Sequence, residues 1–170
     1  MTPIPPPHPR SHLGLQGLLT QDVRHLTSKP LYSCILNAQG RFLHDVFLHP
    51  ASQGVYADVD RSGLADVLRL LKRYVGGGTC LTRIHHPHGR YRLHSKVDIE
   101  DASSEMAVCV AYGSARAVAE WPRDPRLAAL GQRTVIPSVQ APDGGAVGFR
   151  AWRVLHGVAE GDEEIPTGRV

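Results

Sequence analysis

Cysteine is scarce in this 170-residue chain, and the three it has, Cys34, Cys80 and Cys109, show no paired spacing. An odd number of scattered thiols argues against a disulfide framework and for a reducing compartment. No apolar run approaches the roughly 18 residues of a membrane-spanning helix, so no membrane partner is expected. Net charge is only +3, too small to argue for nucleic acid. Acidic residues are missing altogether before Asp22, as in an organelle transit peptide, but residues 1–12 hold five prolines. Those prolines exclude the amphipathic helix such peptides form, and the stretch is expected to be a disordered or transit-like tail. Also absent are a hydrolase elbow, a dinucleotide glycine pattern and a Walker loop, since Gly76-Gly77-Gly78 lacks the Lys-Ser/Thr that must follow.

What is present centres on residues 31–49, LYSCILNAQGRFLHDVFLH. Two apolar runs, 31–36 and 42–48, flank a linker containing Gly40 and predict a β-hairpin with Gly40 at positive φ. Asp45 interrupts the second run, and a carboxylate there must face water, find donors or await a ligand. A short helix is expected over 13–23, with Leu15, Leu18 and Leu19 on one face. Residues 54–58 read as a strand. Leu64, Val67, Leu68 and Leu71 then mark a helix by their spacing, with Ser62 as N-cap. Strands are expected over 97–100, 106–111 and 132–136. A last helix should bury Val147, Ala151, Val154, Leu155 and Val158, with an exposed acidic stretch at 161–164. The order predicts an α+β domain, an antiparallel sheet with packed helices.

Residues 75–90 interrupt this pattern. Arg73-Tyr74 recurs as Arg90-Tyr91, and the segment between carries Cys80, His85, His86 and His88. Their spacing matches no zinc motif, so a mobile surface loop without structural metal is expected. Cys34, within an apolar run, reads as a small buried residue rather than a nucleophile.

Five segments in order, LGLQGLLTQDV, QGRFLHDVFLH, YRLHSKVDIED, WPRDPRLAALGQR and RVLHGVAEGDEEIPTG, resemble the folate-binding, aminomethyltransferase-like family. It includes the glycine-cleavage T-protein and its relatives in iron–sulfur cluster assembly. QGRFLHDVFLH, HGVAEG and EIPTG point to the mitochondrial cluster-assembly branch. The resemblance implies an aminomethyltransferase-like fold with ferredoxin-like elements. It divides the chain into a tail (1–12), a first lobe (13–118) with an insertion (75–90), and a partial second lobe (119–170). It implies an accessory factor, not a classical enzyme, acting with tetrahydrofolate and iron–sulfur assembly proteins in the mitochondrial matrix, the cytoplasm being the alternative. By the resemblance Asp45 is the ligand-facing carboxylate, with Tyr32 as a stacking face and Asn37 as an amide; no residue is assigned to catalysis or metal. Leu155 stands where the family has a second carboxylate, and Glu160, five residues on, is no simple substitute. The cluster-assembly Lys-Gly-Cys-Tyr-x-Gly-Gln-Glu motif does not occur, and a shortened form of reduced activity is expected. A folate-dependent aminomethyltransferase and a non-catalytic interaction module are the alternatives.

Overall fold

The computed structural model describes residues 13–52, 54–75, 99–115, 117–142 and 146–167. Its centre is a three-stranded antiparallel sheet of β1 (Leu31–Leu36), β2 (Phe42–Ala51) and β3 (Gly54–Asp58), with β2 in the middle. At the hairpin tip Gly40 has φ 77°, a conformation that costs a residue without Cβ little. The Asn37 Oδ1 accepts from the Gln39 and Arg41 amides, each at 2.9 Å, and fixes the turn. A register shift between Ile35 and Leu36 precedes it.

Alternation along the strands gives this sheet two unlike faces. Ile35, Val46, Leu48 and Val55 point one way and pack with Val67 and Leu71 of α2 (Leu64–Val75). Leu15, Leu18, Val23, Leu26 and Ile99 complete that core. Tyr32, Cys34, Asp45, Phe47, His49 and Asp58 belong to the other face by register. A second, two-stranded sheet pairs β4 (Met106–Ala111) with β5 (Gln132–Pro137), across the boundary expected at 118/119. The last helix is α3 (Ala146–Leu155), beyond which the chain returns to the first sheet.

The α+β class with antiparallel pairing is as expected, and so are the hairpin, β3, α2 and β4. Among the described residues the strands form two sheets, however, where a single sheet was the simpler reading. The expected helix over 13–23 is cut to α1 (Leu13–Gln16), because Leu19 makes a β-bridge to Ile35 and Val23–His25 form a separate 3-10 turn. Ser62 does not cap α2: its hydroxyl donates to Asp60 and contacts Asp162, while the Gly63 carbonyl receives the first helical amides. Ile99 and Glu100 lie outside any strand. The remainder of that expected strand, and the loop with Cys80, His85, His86 and His88, lie outside the described residues, as does the tail. No helix among the described residues is long and apolar enough to cross a membrane.

The face predicted for α3 is also corrected. Among its described side chains Phe149 and Arg153 are the buried ones, whereas Val154 and Leu155 are 62% and 80% exposed; Val147 lies outside them. Arg153 goes inward because carboxylates meet it there (Glu164 at 2.8 Å) and its aliphatic stem tolerates burial. In α2 the packing falls on Val67 and Leu71, with Leu68 only partly buried. Leu71→Ala is accordingly expected to cost about 2–5 kcal/mol in denaturant unfolding and Leu68→Ala less. Equal costs would contradict this packing.

Candidate functional site

Asp45 is 3% exposed, in the middle of the central strand. A carboxylate so placed normally has a cation or several amides against it. Here Oδ2 receives two long contacts, from the Tyr32 hydroxyl at 3.5 Å and the Gly161 amide at 3.3 Å. Burial raises its pKa, the Gly161 amide works against that rise, and neighbouring Glu160 adds to it. The positive charge of Arg126 also works against the rise.

Around it, charges are paired densely. Arg133, from β5, is 5% exposed and donates through Nε and Nη2 to Asp58 Oδ2 at 2.9 and 2.5 Å, and through Nη1 to Glu160 at 3.1 Å. Burial opposes its charge, and Asp58 and Glu160 outweigh burial, so its pKa is raised. Arg126 forms a two-pronged pair with Asp124 at 3.0 and 2.8 Å and reaches Glu160 at 2.7 Å. The Phe47 ring lies beneath both guanidinium groups, 3.9 Å from Arg133 and 4.5 Å from Arg126, an arrangement favourable to the ring's negative face. Arg153 adds a third cation 3.4 Å from Glu160. His49 is buried beside this cluster: Nε2 has no hydrogen-bond partner among the described residues and is 4.0 Å from Asp58. Burial, reinforced by Arg133, pushes its pKa down to about 3.

Of the three residues expected at a ligand site, the fold brings two together. Tyr32 touches Asp45 through its hydroxyl, and its ring packs at 4.9 Å on Phe47. Burial, with Asp45 nearby, raises the pKa of its phenol. Asn37 is at the hairpin tip, three positions from Cys34, the cross-strand partner of Asp45. That is roughly 10 Å by strand rise, and its carbonyl oxygen is committed to the turn. Cys34 is only half-buried, not a core residue, and burial with Asp45 beside it raises its thiol pKa. The stretch expected to be exposed and acidic at 161–164 instead folds onto the sheet: Gly161 is buried and Asp162 bonds His44 at 3.0 Å. Arg126 and Arg133 escaped the sequence reading, and Glu160 was set aside there as no simple substitute for a second carboxylate; Arg126 within a Pro-flanked segment was the available signal.

Asp45, Phe47, Asp58, Val59, Asp60, Arg133 and Glu160 line a cavity of about 50 Å³. Its carboxylate suits the N–H edge of a folate ring, with Tyr32 adjacent. The space suits only a few water molecules, so the acceptor fits that ligand and the room does not while Glu160 stays where it is. Among the described residues no group of three or more His, Cys, Asp or Glu is placed to hold a metal ion.

These features define an α+β protein with an apolar sheet face under a helix and a charged face around Asp45, a carboxylate with no ion pair among the described residues. No family model matches the chain. It is similar to mitochondrial iron–sulfur cluster assembly factors, the IBA57 homologs of fungi. The Pyricularia oryzae protein is 32% identical over 162 residues, 89% of this chain and 39% of its own length. That of Neurospora crassa is 30% identical over 91% of this chain and 38% of its own, and that of Mycosarcoma maydis 29% over 89% and 40%. The chain is thus similar to these assembly factors, the branch its motifs resemble, and it spans about two-fifths of their length.

Proposed function

We propose that this chain serves iron–sulfur cluster assembly in mitochondria, as an accessory factor for proteins with four-iron clusters. The observation that carries the reading is the similarity to the assembly factors over nine-tenths of the chain. Its partners are then other assembly proteins, and its fold a version of the aminomethyltransferase folate-binding architecture. Depleting the protein from its own cells should lower the activity of mitochondrial four-iron enzymes and spare two-iron enzymes. Unchanged four-iron activity would overturn the reading.

Tetrahydrofolate is the proposed ligand of the Asp45 face. The support is chemical: a buried carboxylate with a raised pKa and two long contacts gains from N–H donors. A glycine-cleavage enzyme is less well supported, since Leu155 takes the place of the family's second carboxylate and is 80% exposed. In titrations with tetrahydrofolate, Asp45→Asn should weaken binding at least tenfold, the order of one charge-assisted hydrogen bond. Asp66→Asn is the control, because among the described residues Asp66 pairs with exposed Arg69 on α2. Equal affinities for both variants would exclude Asp45 as the recognition group.

A further inference from the structure

The cavity beside Asp45 is lined in part by Glu160, within the stretch 157–161 that follows α3 and places the Gly161 amide on Asp45. We propose that this stretch is a latched strap, with Glu160 as its bolt, that lifts as a unit to expose Asp45. The inference rests on the reading of Asp45 as a ligand-facing group, but its test does not require a ligand to be known.

The latch is built from contacts of unequal strength. Glu160 is held by Arg126 at 2.7 Å, Arg133 at 3.1 Å and Arg153 at 3.4 Å. Each of those cations also has a carboxylate of its own: Asp124, Asp58 and Glu164 respectively. Withdrawing Glu160 therefore leaves no buried guanidinium without a counter-charge, which is the expensive outcome in a buried ion cluster. Glu160 itself is 22% exposed, so its carboxylate already borders water. Over Asp45 the strap contributes only the Gly161 amide, at 3.3 Å.

Both ends of the strap are anchored. At its start the Val158 amide donates to the Arg153 carbonyl. Just past its end, Asp162 is held by His44 at 3.0 Å and by Ser62 at 3.2 Å. Gly161 is the natural pivot: its φ is 78°, and a Cβ there would strike the Asp60 carboxylate. A ring too large for the closed cavity is admitted by moving this short stretch, with the sheet and α3 left in place.

Amide hydrogen exchange read on peptides across 156–162 tests the strap directly. Glu160→Gln should raise exchange there by about tenfold or more, while β2 and α2 keep wild-type protection. Gly161→Ala is the second variant, because it forces the pivot without touching the charge cluster, and it should have the same local effect. Unchanged exchange in both variants, or an increase spread equally over β2 and α2, would overturn the strap. Absence of tetrahydrofolate binding to any variant would count against the ligand assigned above and would leave the exchange result to decide this proposal.

Discussion

Replacing Arg133 by alanine should destabilise the fold by about 3–5 kcal/mol, the range for removing one partner of a buried ion pair. Asp58 would lose both guanidinium hydrogen bonds, Glu160 would lose one of its cations, and Phe47 would lose the group stacked 3.9 Å from its centre. Since whole domains are stable by only about 5–15 kcal/mol, such a loss should be plain in urea unfolding as a lower midpoint at unchanged slope. Arg133→Lys should fall between, keeping the charge and losing the fork that spans Asp58 and Glu160. The double variant with Asp58→Ala should cost clearly less than the sum of the two single changes, because the residues share one interaction. Additive costs, or a loss below about 1 kcal/mol for Arg133→Ala, would mean that the pair contributes as little as a surface ion pair.

That pair also shows where the sequence stops being informative. The hairpin, β3, α2 and β4 were legible because each carries its own periodicity and its own turn, and no distant residue is needed to specify them. Asp45 was legible for the same local reason, as a charged residue inside an apolar strand. Arg133 and Asp58 are 75 residues apart, and Arg133 and Glu160 are 27 apart. Taken singly, such residues look like solvated charges, and only the packing of two sheets turns them into an interior. The α3 face failed similarly. An apolar count favoured Val154 and Leu155, but Arg153 takes the inward position because Glu164 and the Val158 carbonyl await it. The short helix before β1 failed on competition: Leu19 gains a strand partner in Ile35 that a longer helix would have forgone.

Mild acid should destabilise the protein mainly through His49. Burial, with Arg133 adding to it, lowers the folded-state pKa from 6.5 to about 3. Between those values the unfolded chain takes up a proton that the folded protein refuses. Stability is fully present above pH 6.5 and falls as pH drops toward 3, by about 1.4 kcal/mol per pH unit once well below 6.5. Asp45 acts in the opposite direction: its raised pKa makes the folded state hold a proton that the unfolded chain, at 3.8, gives up, so acid relieves its burial. Asp22, Asp101 and Glu164, whose pKa values are lowered, lose their contributions in acid, but from ordinary values of only 3.8 to 4.5. The span from pH 6.5 to 4.5 therefore belongs chiefly to His49, with an expected loss of about 2–3 kcal/mol. His49→Leu should remove most of that loss. It should not weaken the fold at neutral pH, since it replaces a buried Nε2 that has no hydrogen-bond partner among the described residues by a hydrocarbon of similar size. Urea midpoints measured at half-unit steps of pH for both proteins decide the matter. Parallel curves for the variant and the wild type across that span would assign the acid sensitivity to other groups and show that His49 is protonated at no cost to the fold.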